Sequence, residues 1–132
     1  MINSIFINIP VTSVERSKAF FSKLGFHFNT QFTNDVSACL IIAENINVML
    51  SEHARFAQLM DKKVADSNTS EVVLSLGCDS AERVREIAEG AFALGARKLN
   101  EPEDHGFMFS WAFEDLDGHL WDLFWMDPSH SV

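Results

Sequence analysis

Tyrosine is absent from this sequence of 132 residues, and cysteine, proline and glycine are sparse, at two, three and six. The cysteines, Cys39 and Cys78, lie far apart inside apparent strands. A zinc site of closely spaced thiolates is therefore not expected, and reduced, packed thiols are. The six glycines form no Gly-x-Ser-x-Gly elbow, no Walker loop and no Gly-x-Gly-x-x-Gly, which argues against hydrolase, phosphate-loop and dinucleotide chemistry. Cys39 has no local basic partner to favour a thiolate, and the lack of tyrosine removes one common general acid. Basic residues are few: ten Lys and Arg face nineteen Asp and Glu, a formal charge of −9. Nucleic-acid affinity rests on Lys and Arg neutralising phosphates, so no nucleic-acid partner is expected. Long apolar runs are missing as well. Ala38 to Ala43 and Leu120 to Met126 reach about a third of the ~20 residues of a bilayer-spanning helix, so no membrane partner is expected. No basic segment leading into a long apolar run opens the sequence, and a cytoplasmic location is the expectation.

What is present suits one ordinary globular domain over residues 1–132, with 47% apolar and 22% charged residues. Ser4 to Ile9 alternates as a strand, ended by Pro10. Ser13 is an N-cap, although Arg16 stands where a capping box prefers Glu. Val14, Ala19, Phe20, Phe21 and Leu24 then form an apolar helical stripe stopped at Gly25. Three strands are predicted at Phe26 to Phe32, Ala38 to Ala43 and Ile46 to Ser51, with Thr33-Asn34-Asp35 and Glu44-Asn45 as turns. A short helix near His53 to Met60 and a polar linker, Ala65 to Ser70, follow. The order then restarts. Glu71 to Cys78 is a strand; Ser80 caps a helix bearing Val84, Ile87, Ala88, Ala91, Phe92 and Leu94, closed by Gly95; strands follow at Ala96 to Leu99, Met108 to Glu114 and Leu120 to Trp125.

The letters repeat too: Ser13-Val14-Glu15-Arg16 leading to Leu24-Gly25-Phe26 parallels Ser80-Ala81-Glu82-Arg83 leading to Leu94-Gly95-Ala96. The predicted fold class is α+β. Two βαβββ modules, about residues 1–65 and 66–132, would build a curved mixed sheet around a cavity, with the helices outside.

The opening FINIPVTSVERSKAFFSKLGF and the closing DHGFMFSWAFEDLDGHLWDLFWMDP resemble the vicinal oxygen chelate superfamily, which includes glyoxalase I, extradiol dioxygenases and the fosfomycin and bleomycin resistance proteins. The two stretches look most like its small glyoxalase-like bacterial members, and the resemblance extends over nearly the whole chain. The resemblance implies metal ligands, usually His or Glu, on inward positions of the first, fourth, fifth and last long strands. Here those positions hold Phe6, Met49, Val73 and Asp122. Only Asp122 could ligate, and a divalent ion needs several oxygen or nitrogen donors to replace its water.

Alternation gives the same facing in the last strand: Trp121, Leu123 and Trp125 share one side, and Leu120, Asp122, Phe124 and Met126 the other. A carboxylate between Leu120 and Phe124 must reach water or a partner, either in a pocket or by a salt bridge to a neighbouring strand. A ligand pocket is expected from Phe6, Asn8, Met49, Val73, Ser75, Ser110, Asp122 and Phe124, with Met108 also facing inward. His27, His53, His105, His119 and His130 fall on separate elements without chelating spacing, and surface or structural roles are expected for each. Asp115-Leu116-Asp117-Gly118 superficially suggests a calcium loop. Phe113 and Phe124 stand where acidic ligands would be needed, so it reads as a hairpin turn.

The leading expectation is a small-molecule-binding protein with a degenerate metal site and no cofactor, forming a homodimer as many members of the resembled group do. Whether it is an enzyme, and its catalytic residues, stay open. One alternative is a divalent-metal-dependent lyase of the lactoylglutathione lyase type, or a dioxygenase, with relocated ligands such as Asp122, Glu71 and His105. Another is an antibiotic-sequestering resistance protein, suggested by the charge and an aromatic-lined cavity.

Overall fold

A computed structural model describes residues 1–130. It resolves into two compact units that meet in sequence between Val64 and Ala65. Hydrogen bonding divides the strands between two mixed sheets, one of four strands and one of five, and neither closes into a barrel.

The first unit contains β1 (Ile5–Val11), α1 (Val14–Lys23), β2 (His27–Asn29), β3 (Ser37–Ala43), β4 (Ile46–Glu52) and the short α2 (His53–Ala57). Its sheet runs β1-β4-β3-β2, with β1 parallel to β4 and the other pairs antiparallel. Ile9, Val11, Ala38, Leu40, Val48 and Leu50 are buried on the side that α1 covers. Each large aliphatic side chain so buried contributes about 1.5–3 kcal/mol. From α1 come Val14, Phe20, Phe21 and, at its C-cap, Leu24. Ser17 is buried and Ala19 exposed, the reverse of the predicted stripe, because the contact face advances in steps of three and four from Val14. Ser13 accepts from the Arg16 amide, and the Val14 amide donates to the Glu52 carboxylate at 3.0 Å. A carboxylate from the far end of β4 thus satisfies the first amide of the helix and favours its dipole.

The second unit contains β5 (Val73–Gly77), α3 (Ala81–Ala93), β6 (Arg97–Lys98), β7 (Glu103–Asp104), β8 (Met108–Glu114) and β9 (Leu120–Met126). Its path, β5-β9-β8-β6, again sets the first strand parallel to the last and the rest antiparallel, and β7 adds to β8. Phe109, Trp111, Phe113, Trp121 and Leu123 are buried on the side where α3 packs, against Val84, Ile87, Ala88 and Ala91.

Several boundaries differ from the sequence reading, each for a local reason. β1 continues through Pro10 to Val11; at the edge of its sheet, one side of the strand needs no ladder donor. The run Phe26 to Phe32 yields a three-residue strand and then a 3₁₀ turn, Thr30–Phe32, because the Asn29 side chain accepts from the Gln31 amide and diverts the backbone. The helix after His53 stops at Ala57, Cys78 lies just beyond β5, and β7 was not predicted. The polar stretch Ala65 to Ser70 is folded rather than loose: Asp66 accepts from the Asn68 amide and the Thr69 hydroxyl, and the Ser67 backbone lies against Gly118.

Candidate functional site

In each sheet, register sorts the strands into a helix-packed side and an opposite side, and the predicted site residues fall on the latter. On the second sheet, Ser75 of β5, Asp122 of β9 and Ala112 of β8 stand in one row. Beside it run a row of Gly77, Phe124, Ser110 and Glu103 and, on the other flank, a row of Val73, Leu120, Glu114 and Arg97. Val73, Ser75, Ser110, Asp122 and Phe124 therefore share one face, as predicted. The Phe124 ring lies across Gly77, where a β-carbon would come within 3.2 Å of it, so the absent side chain makes room for the ring. At the edge, Arg97 grips Glu114 in a two-pronged ion pair at 3.0 and 3.1 Å, which holds the Glu114 carboxyl below its usual range.

Asp122 carries the chemical interest of this face. It is half-buried, and the Ser75 hydroxyl donates to its carboxylate at 3.2 Å, so the neighbouring strand supplies a hydrogen bond and no salt bridge. Burial pushes its carboxyl above the ordinary range, the Ser75 hydrogen bond pulls it back, and the negative charge of Glu103 pushes it up again. A half-buried carboxylate with one hydroxyl partner, on a face still open to solvent and beside the Phe124 ring, can accept a donor or pair with a cation. Asp115 has a different role. Buried at the β8–β9 turn, it accepts from the amides of Asp117 and His119 and from the indole of Trp121 at 2.8 Å. It is the anchor of a hairpin, as the sequence suggested.

On the first sheet, Asn8, Met49, Cys39 and Asn29 form one row, and Phe6, Asn47, Ile41 and His27 the next. Phe6, Asn8 and Met49 thus share a face, but only Phe6 lines the cleft of about 570 Å³ that opens at its end. Asn8 instead donates to the Phe6 carbonyl. The cleft walls come mainly from residues the sequence reading missed, among them Asn29, Phe32, Glu44, Asn45 and Asn47. Asn47 could have been found, because it alternates with Met49 onto the Phe6 side; Phe32 could not, since its strand assignment was wrong.

No thiol or imidazole lines the cleft. Burial raises both cysteine thiols, and Cys39 leans on the Asn47 carbonyl oxygen at 3.7 Å. His105 lies 3.9 Å from Glu103, and His130 stacks on Phe107. Among the described residues no three His, Cys, Asp or Glu side chains group closely enough to hold a metal ion, so the relocated set of Asp122, Glu71 and His105 does not assemble. Among the described residues, too, no helix is long and apolar enough to cross a membrane.

The family described as bleomycin resistance protein-like N-terminal matches residues 3–40. No curated protein matches the chain. Among solved structures, a hypothetical protein from S. aureus superposes with a TM-score of 0.80 at 27% identity, covering 94% of each chain. A glyoxalase/bleomycin resistance protein/dioxygenase family enzyme from Burkholderia phytofirmans PsJN gives 0.73 at 16% identity, over 92% of this chain and 96% of that one. A bleomycin resistance determinant encoded on the transposon Tn5 gives 0.65 at 19% identity, over 96% and 99%.

Proposed function

Starting from the glyoxalase and bleomycin-resistance fold of the vicinal oxygen chelate superfamily, which the chain shares, we propose that it is a small-molecule-binding protein that works without a metal ion. The observation that carries this reading is the Asp122 carboxylate, half-buried on an open face beside Phe124 and held by the Ser75 hydroxyl. The four positions where the superfamily resemblance places metal ligands offer a phenyl ring, a thioether, an isopropyl group and this one carboxylate. That set does not fit a divalent ion, which needs several hard or nitrogen donors at once. The same carboxylate beside an aromatic ring suits a small molecule with a hydrogen-bond donor or a positive charge. The reading includes a cytoplasmic homodimer, and light scattering on the purified chain checks the assembly.

Metal content and ligand screening together test it. Purified protein incubated with nickel, zinc or ferrous iron and desalted should retain none stoichiometrically. Organic cations in a thermal-shift panel that includes bleomycin should raise the melting temperature, and Asp122→Asn should remove the shift while leaving the unliganded protein folded. One equivalent of metal lost with Asp122→Asn would overturn the proposal. The formal charge of −9 favours a narrower second reading, sequestration of a cationic antibiotic. A panel in which other amines bind and no cationic drug does would reject it.

A further inference from the structure

The cleft of the first unit shares no residue with the Asp122 face, and its chemistry differs. Ten residues line it: four are asparagines, Asn3, Asn29, Asn45 and Asn47, two are phenylalanines, Phe6 and Phe32, and the sole charge is Glu44. The rings meet edge to face with centroids 6.1 Å apart, yet remain 43% and 53% exposed. Two of the carboxamides are anchored through their oxygens, Asn29 to the Gln31 amide at 3.0 Å and Asn47 to the Cys39 thiol at 3.7 Å, which leaves their NH₂ groups as donors. Asn45 is held at a φ of 65° in the β3–β4 turn, where asparagine is among the few residues that sit readily.

The lining discriminates among ligand classes. An anion would meet no Lys, Arg or His and would face Glu44. A wholly apolar ligand would strip water from four carboxamides and return no hydrogen bonds. A ring with hydroxyls around its rim and C–H groups on its faces satisfies both components, because hydroxyls donate and accept as carboxamides do and C–H faces pack on phenyl rings. The volume of about 570 Å³ lies within the ~300–1,000 Å³ of small-molecule sites. We propose that this cleft binds a neutral polyhydroxylated ring, the chemistry of a monosaccharide or of a sugar unit within a larger molecule, with Phe6 and Phe32 as the packing surface and the asparagines and Glu44 as hydrogen-bond partners.

Nitrogen-15 NMR of the full chain, titrated with methyl β-glucopyranoside and with N-acetylglucosamine, tests this. The side-chain NH₂ signals of Asn29, Asn45 and Asn47 should shift saturably in the millimolar range, whereas cyclohexanol leaves them in place. Phe32→Ala should weaken binding about fivefold, with an otherwise unchanged spectrum as proof of folding. Asn47→Ala provides a second lesion from a different strand. Absence of shifts with both sugars, or full affinity in both variants, would overturn the proposal. Shifts confined to β5, β8 and β9 would also overturn it and would leave the Asp122 reading standing.

Discussion

The two units use the same ladder and fill its open side differently. In the first, Asn8 of β1 stands beside Met49 of β4; in the second, the corresponding neighbours are Ser75 of β5 and Asp122 of β9. Phe6 beside Asn47 corresponds to Val73 beside Leu120 in the same way. The helix-packed sides have no such freedom. Val48 and Leu50 in one, and Trp121 and Leu123 in the other, are all buried, because a polar group there loses water and must find a partner, as the Trp121 indole does in Asp115. Divergence is therefore concentrated where packing is least demanding. One unit opens an asparagine-walled cleft with a single carboxylate at its turn, and the other holds a half-buried carboxylate on a face of mixed apolar, hydroxyl and charged residues.

The hairpin turns sharpen this comparison, and the largest effect is expected there. Gly118, at a φ of 87°, presses on the Ser67 backbone, where a β-carbon would lie 2.8 Å from the carbonyl oxygen. Gly118→Ala should cost about 2–4 kcal/mol in chemical denaturation, from positive-φ strain and a displaced backbone together. Asp115→Ala comes next, at about 2–3 kcal/mol, because it strands the Trp121 indole and two amides of the same turn. The equivalent turn of the first unit should be more forgiving. Asn45→Ala has only the left-handed backbone to overcome, about 1 kcal/mol, and equal losses in the two turns would break the comparison.

The smallest effect concerns the Asp122 carboxyl. Burial holds it above the ordinary range, so the folded chain binds that proton more tightly than the unfolded chain does. Its contribution to stability is fullest below the ordinary carboxylate range and is lost as pH rises through the raised folded value. Asp122→Asn should flatten that part of the pH–stability curve. Ser75→Ala removes the hydrogen bond favouring the charged form, so the Asp122 midpoint followed by NMR should rise further; a fall would show that the bond is not made in solution.

Much of the fold was legible because its signals are local. Ser13 and Ser80 announce their helices within four residues, Gly25 and Gly95 end them, and the alternation of β8 and β9 separates Trp111 and Trp121 from Ser110 and Asp122. That period gave the facing of Phe6, Asn8, Met49, Ser75, Ser110, Asp122 and Phe124, while Val73 was placed by the superfamily resemblance. The cleft was not legible. Asn29 looked like the middle of a strand but caps a 3₁₀ turn that carries Phe32, and no local pattern signals which turn residues a third strand will bring beside it.

The sequence by itself determined most of the elements, their doubled order, most of the helix-facing residues and the poverty of donors at the positions that resemble a metal site. Those properties depend on periodicity and capping, which act over a few neighbouring residues. Tertiary structure decided that Glu52 caps α1, that Ser75 and not a basic residue meets Asp122, and that asparagines from separate strands and turns wall one cleft. Such pairings depend on strand register, which is set by the packing of a whole sheet and is written at no single position.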